Sequence, residues 1–255
     1  MKKRISTVLC FIAITCLTSW AQQAYPQDLV PEDQWLTEVS FDGAAPGIVE
    51  LATAYFECDV MNELLGDARD ALRHYLRHEP QEKGADLLVD KKNGYMCYTM
   101  NWGMVYDDTP NSKECVEMCY WNCADGKHKI MAMSCRSMSE GKYIENEFSG
   151  ISMYIYDNET HMLGELNEEY LGVEDYTGTN EDFDEIDGYF LVHDRDTGQP
   201  LKLNRKQFSH WQSESPIIVY FLPREGKDIT TEIHFVNRVK QAKLAWDGMY
   251  FTIQD

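Results

Sequence analysis

The sequence predicts an α+β protein, with an N-terminal helical pair at about residues 47–79 packed on a largely antiparallel β region built from consecutive hairpins. Three observations predict it. Apolar residues recur every three or four positions from Ile48 to Leu76; from about residue 85 they recur every second position; and turn pairs such as Asn93-Gly94, Asp125-Gly126 and Asp247-Gly248 punctuate the alternating stretches. Consecutive hairpins cannot make a parallel βαβ sheet, which disfavours Rossmann and TIM-barrel architectures.

The first segment reads as an export signal. Lys2, Lys3 and Arg4 precede a short apolar run from Val8 to Leu17, and Ser19-Trp20-Ala21 places small residues where a signal peptidase reads them. The run is shorter than the roughly 20 residues a membrane-spanning helix needs, and no later stretch approaches that length, so no transmembrane span is expected. Lipid attachment through Cys16 or Cys10 is the alternative, with poor lead-in residues before each cysteine. The expected location is periplasmic or extracellular.

Residues 22–46 are polar and Pro-containing, an extended lead-in. Ile48, Leu51, Tyr55, Cys58, Met61 and Leu65 then form one apolar helical stripe. Gly66-Asp67 reads as the end of that helix and the start of the next, which carries Leu64, Ala68, Leu72, Tyr75 and Leu76 as its buried face and stops before Pro80. Hairpins follow at 87–91 with 95–100, 116–123 with 129–135, 151–156 with 162–166, 189–193 with 200–203, and 217–222 with 229–236. A last hairpin spans 244–253. Residues 165–187 hold ten acids and no Lys or Arg, the composition of a solvated loop or linker. The expected organisation is therefore helices plus a first β region at 47–166, an acidic linker at 167–188, and C-terminal hairpins at 189–255, either joined to the first region in one domain or standing as a second.

Charge narrows the function classes. With 43 acidic against 23 basic residues in 255, the net charge is −20, and such a surface repels the phosphates of nucleic acid. The GxSxG elbow, the Walker A loop and the GxGxxG fingerprint are absent. Beyond the leader stand Cys58, Cys97, Cys115, Cys119, Cys123 and Cys135, which suit either disulfides in an oxidising compartment or buried free thiols.

Four constellations have chemical potential, and each has a plain structural reading beside it. Asp70, His74 and His78 recur every four positions, as metal ligands on a helix do, but they lie about 120–200° from the apolar stripe and run beside Arg69, Arg73 and Arg77, so an exposed salt-bridged face is the simpler reading. In Cys115, Cys119 and Cys123 the spacing fits no zinc knuckle. On a strand it puts all three thiols on one face with Glu117 and Trp121, opposite Val116, Met118 and Tyr120; a three-residue turn at Ala124 to Gly126 would set Cys115 across from Cys135, within reach of a disulfide. Asp182, Asp184, Asp187, Asp194 and Asp196 carry oxygens of the kind calcium takes, and calcium is the one cofactor the sequence suggests; ordinary turn and loop explains the same residues. Trp35, Trp102, Trp121, Trp211 and Trp246 would serve a sugar-stacking platform or, by default, the core.

Two stretches, Tyr120-Trp121-Asn122-Cys123-Ala124-Asp125-Gly126-Lys127-His128-Lys129 and Met153-Tyr154-Ile155-Tyr156-Asp157-Asn158-Glu159-Thr160, resemble uncharacterised exported proteins of gut Gram-negative bacteria. The ending Leu244-Ala245-Trp246-Asp247-Gly248-Met249-Tyr250-Phe251 is similar to a hairpin that closes many such proteins. The resemblance implies an envelope or secreted location and brings no activity or catalytic residue with it. The expected function is a non-enzymatic binding or interaction module for a peptide, glycan or envelope protein. A hydrolase built on paired carboxylates and a calcium-stabilised structural protein are the alternatives.

Overall fold

The computed structural model describes residues 35–58, 63–106, 111–145, 149–166, 170–171, 184–193, 199–213, 216–235 and 238–254. Within them the fold is mixed α+β with antiparallel sheets, and no helix is long and apolar enough to cross a membrane. The elements are β1 (Trp35–Glu38), α1 (Ile48–Glu57), α2 (Glu63–Arg77), β2 (Ala85–Asp90), β3 (Tyr95–Asn101), β4 (Lys113–Asn122), β5 (His128–Ser139), β6 (Lys142–Ile144), β7 (Gly150–Asp157), β8 (Met162–Glu165), β9 (Asp184–Ile186), β10 (Tyr189–His193), β11 (Pro200–Leu203), α3 (Arg205–Ser213), β12 (Ile217–Phe221), β13 (Ile229–His234), β14 (Val239–Trp246) and β15 (Phe251–Gln254).

The central sheet runs β1-β8-β7-β5-β4-β3-β2, with β6 paired to the far end of β5. Alternation gives it two apolar faces, because successive side chains on a strand point to opposite sides. Met96, Tyr98, Val116, Met118, Met131, Met133 and Tyr154 pack under α1 and α2 with Leu51, Phe56, Ala68 and Leu72. On the other side Tyr95, Cys119, Trp121, Ile130, Ala132 and Ile155 meet Tyr220, Ile229, Leu244 and Phe251 of a second sheet, β12-β13-β14-β15. The central sheet is thus buried on both faces, between a helical layer and a second antiparallel sheet. A third sheet, β11-β10-β9, has its own small core, where Phe190 stacks on Phe208 of α3 with ring centroids 4.0 Å apart.

The helical region differs from the sequence expectation in where it breaks. α1 ends at Cys58, whose N–H bonds Tyr55 O at 3.0 Å, and Gly66 lies inside α2 instead of dividing two helices. The apolar stripe Leu64, Leu65, Ala68, Ala71 and Leu72 runs through Gly66, and burying it outweighs the roughly 1 kcal/mol that glycine costs a helix interior. α2 stops at Arg77. His78 then takes a left-handed φ of 57°, Glu79 N–H bonds His74 O and His78 N–H bonds Tyr75 O, a Schellman closure placed just before Pro80. Leu76, expected in the core, is 46% exposed. Four elements were not anticipated: β1, inside the extended lead-in, pairs with β8; β6 pairs with the end of β5; β9, inside the expected acidic linker, pairs with β10; and α3 follows β11.

Candidate functional site

Two of the places where the described structure gathers polar groups lie against β5. The first lies on the face of the central sheet that meets the second sheet, and it is built by register. β3 and β4 pair so that Cys97 stands opposite Glu117 and Thr99 opposite Cys115; β4 and β5 pair so that Cys115 stands opposite Arg136 and Glu117 opposite Ser134. Odd positions of β3 and β4 and even positions of β5 share one side, which brings Tyr95, Cys97, Cys115, Glu117, Ser134 and Arg136 together.

Glu117 is the hub. It is 7% exposed and accepts from Tyr95 OH at 2.7 Å on Oε1, and from Arg136 Nη1 at 2.5 Å and Leu222 N–H at 3.0 Å on Oε2. Arg136 Nη1 also donates to Tyr220 O at 2.8 Å, joined there by Ser134 Oγ at 2.9 Å, and the guanidinium lies over the Phe221 ring. Burial disfavours the Arg136 charge, but the Glu117 carboxylate more than offsets it, so the guanidinium holds its proton more tightly than usual. Burial first, and the Glu117 charge second, drive the Tyr95 hydroxyl the same way.

Beside this hub Cys97 Sγ and Cys115 Sγ are 3.5 Å apart, and Arg136 Nη2 donates to Cys115 Sγ at 3.3 Å. The pair gives up one proton readily and the second with difficulty. The hydrogen bond between the two thiols lowers the Cys97 thiol to about 7 against the cost of burial, and that same bond, with burial, pushes Cys115 up. Cys97, Cys115 and Glu117 bring three ligand-type atoms within 4.8 Å of one another, yet a guanidinium bonded to two of them opposes a divalent cation.

The second place is a cleft of about 350 Å³ between the helical layer and the central sheet. Tyr55 and Leu65 form its helical wall, Met133 and Cys135 of β5 and Ser152 and Tyr154 of β7 its sheet wall, with Glu165 at the end of β8. Tyr154 shares hydrogen bonds with Tyr55 and Ser152, and the two tyrosine rings meet at 5.1 Å and 57°. Burial raises both hydroxyls above their ordinary pKa, and the Glu165 charge adds to it. Burial likewise pushes the Cys135 thiol up to about 12.

The sequence-read candidates fare differently. All six cysteines are free thiols. A disulfide between Cys115 and Cys135 is ruled out by register. Val116, not Cys115, faces Cys135, because the β4-β5 turn is one residue longer than expected, and a one-residue slip sends Cys135 to the helical face. Sequence reasoning therefore placed Cys115, Glu117 and Cys119 on the right face and missed Cys97, Arg136 and Tyr95. The signal available was the alternation of β3 itself, which sets Cys97 on the side away from Met96 and Tyr98.

His74 and His78 do not form an i, i+4 helical pair, because the helix ends between them and His78 turns left-handed. His74 Nδ1 lies 3.1 Å from Pro80 O, and Asp70 is bonded by Arg69 and Arg73, as the salt-bridged face required. Of the candidate calcium ligands, Asp182, Asp194 and Asp196 lie outside the described residues, and of Asp184 only its place on β9 is described. Asp187 is exposed and occupies, with Gly188, a two-residue hairpin turn in which both φ angles are positive (54° and 75°). Trp121 packs on Trp246 and Phe251 inside the sheet interface, whereas Trp102 stacks on the exposed Tyr106.

No protein-family model matches this chain, and no curated protein does. Among solved structures it is similar to a domain of an uncharacterized protein from Porphyromonas gingivalis W83, at 10% identity and a TM-score of 0.35, covering 82% of this chain and 100% of that one.

Proposed function

We propose that this chain is an exported, non-enzymatic binding module of the cell envelope, and that its cleft takes a small neutral glycan. The observation that carries the reading is the make-up of the cleft wall. Tyr55, Tyr154, Ser152 and Glu165 line one space of about 350 Å³, within the range of small-ligand sites. Hydroxyls that both donate and accept suit sugar hydroxyls, a carboxylate adds an acceptor, and the Tyr55 ring offers an apolar face to sugar C–H groups. The net charge of −20 disfavours anionic ligands.

Glu165 is the only carboxylate among the described residues that line the cleft. Hydrolysis by paired carboxylates needs two, roughly 5–10 Å apart, so the arrangement favours binding over that chemistry.

A thermal-shift and calorimetric series with soluble neutral and N-acetylated mono- to tetrasaccharides, set against di- to tetrapeptides, tests the reading. At least one saccharide raises the melting temperature of the wild type, and Glu165→Gln or Tyr55→Phe weakens its binding by tenfold or more. A response to peptides alone, or saccharide binding indifferent to both substitutions, overturns it. Export is tested separately by sequencing the amino terminus of the protein from envelope fractions, which begins near Gln22.

A further inference from the structure

Two thiols touch on the sheet face that meets β12–β15, away from the cleft. Cys97 and Cys115 are diagonal neighbours on adjacent strands, their Sγ atoms are 3.5 Å apart, and Thr99 Oγ1 lies 3.7 Å from Cys97 Sγ. Each keeps part of its surface open, whereas Cys119, Cys123 and Cys135 are buried. We propose that Cys97 and Cys115 are a redox couple that closes to a reversible disulfide by exchange with a low-molecular-weight disulfide such as oxidised glutathione.

The surroundings divide the work between the two sulfurs. The contact between the two sulfurs at 3.5 Å favours the thiolate form of Cys97, and thiolate is the attacking form. Its sulfur attacks one sulfur of oxidised glutathione, forming a Cys97–glutathione mixed disulfide and expelling one glutathione thiolate. Cys115 then loses its proton, with Arg136 Nη2 at 3.3 Å to hold the new charge. Its sulfur attacks Cys97 Sγ, forming the intramolecular bond and expelling the second thiolate. The protein sulfurs lose two electrons and glutathione disulfide gains two; the Cys115 proton ends on one glutathione, and the other takes from solvent the proton that Cys97 gave up on ionising.

Register makes the bond reversible. Diagonal neighbours in an antiparallel pair have Cα atoms about 7–8 Å apart, beyond the roughly 4.4–6.8 Å a relaxed disulfide spans. Closing it draws β3 and β4 together, and a strained disulfide is the readily reduced kind. Glu117 and Tyr220 remain partners for Arg136 in the closed form.

The test uses the full chain without its leader, equilibrated in glutathione buffers from reduced to oxidised, acid-quenched, alkylated and mapped by peptide mass. Oxidised buffer links the Cys97 and Cys115 peptides, and excess reduced glutathione frees them. Cys115→Ser traps glutathione on Cys97, whereas Cys97→Ser takes up glutathione at Cys115 at least tenfold more slowly. Two outcomes overturn the proposal: both thiols stay open to alkylation in oxidised buffer, or the linkage joins another pair. A third does so as well: added zinc shields both thiols without a linkage and a chelator releases them, which assigns a metal site. The wild-type map decides the matter even if a variant fails to fold.

Discussion

Arg136 of β5 reaches across the sheet interface to the Tyr220 carbonyl of β12 at 2.8 Å while the same nitrogen binds Glu117. One guanidinium thereby joins a buried carboxylate to the backbone of a strand 84 residues later in the chain. Truncating it strands a carboxylate that is 7% exposed. Arg136→Met is expected to cost about 3–5 kcal/mol in denaturant unfolding. The double variant Glu117→Leu with Arg136→Met recovers much of that loss, because removing both charges leaves none uncompensated. A double variant as unstable as the sum of the two singles refutes the coupling.

Two glycines behave oppositely. Gly94 sits at φ 66°, and an added Cβ would come 2.7 Å from Tyr120 Cε1, so Gly94→Ala costs about 2 kcal/mol. Gly66 is helical with open space around it, and Gly66→Ala adds roughly 0.5–1 kcal/mol. Were Gly66 a helix terminus, as the sequence alone suggests, the second change would not stabilise. Urea midpoints of the two variants read this directly.

His78 pays for a left-handed backbone without glycine's freedom. His78→Gly should raise stability by roughly 1 kcal/mol, visible as a higher melting temperature, because the exposed imidazole is replaced by the residue that fits φ 57°. Lower stability would show that the His78 ring matters more than its backbone.

Stability falls at both pH extremes, for separate reasons. Asp90, bonded by Arg224, and Asp228, bonded by Lys243, have pKa values below the carboxylate norm; Asp125 does too, where burial is outweighed by His128 and two backbone N–H groups. Their contribution is complete above the unfolded value of about 3.9 and disappears as pH drops through the folded values. At the other end, Cys123 and Cys135 are pushed up to about 12, mainly by burial. That contribution is complete below the unfolded thiol value of about 8.5 and is lost as pH climbs toward 12. Melting temperatures that fall below about pH 4 and above about pH 9 are expected; an acid decline that already begins near pH 6 contradicts the assignment.

Thiol labelling should follow the same electrostatics. Under native, reducing conditions the alkylation rate at Cys97 rises with a midpoint near its value of about 7, and Cys119, Cys123 and Cys135 react only on unfolding. Equal native rates at all six cysteines would contradict the burial pattern.

Much of the local architecture was legible in the residue pattern. Alternation located β2 through β5, β7, β8, β10 through β13 and β15 to within a few residues, caught only the end of β14, and sorted Cys115, Glu117, Cys119 and Trp121 from Val116, Met118 and Tyr120. Such assignments are local, since a strand's faces follow from a period of two and a helix's stripe from 3.6. The short β1, β6, β9 and α3 escaped because none displays a full apolar period.

Neither site was legible, because both are made by partners far apart in the chain. The loop between β4 and β5 holds one residue more than the turn chemistry implies, and that single residue replaces Cys135 with Arg136 as the neighbour of Cys115. The Cys97 and Cys115 contact spans 18 residues, the bond from Arg136 to Tyr220 spans 84, and the cleft needs α1, β5, β7 and β8 in place together. Periodicity set which side each residue faces. Which residues meet on that side was decided by strand register and by the docking of one layer on another, since both depend on how far each loop lets distant segments slide before their apolar faces lock.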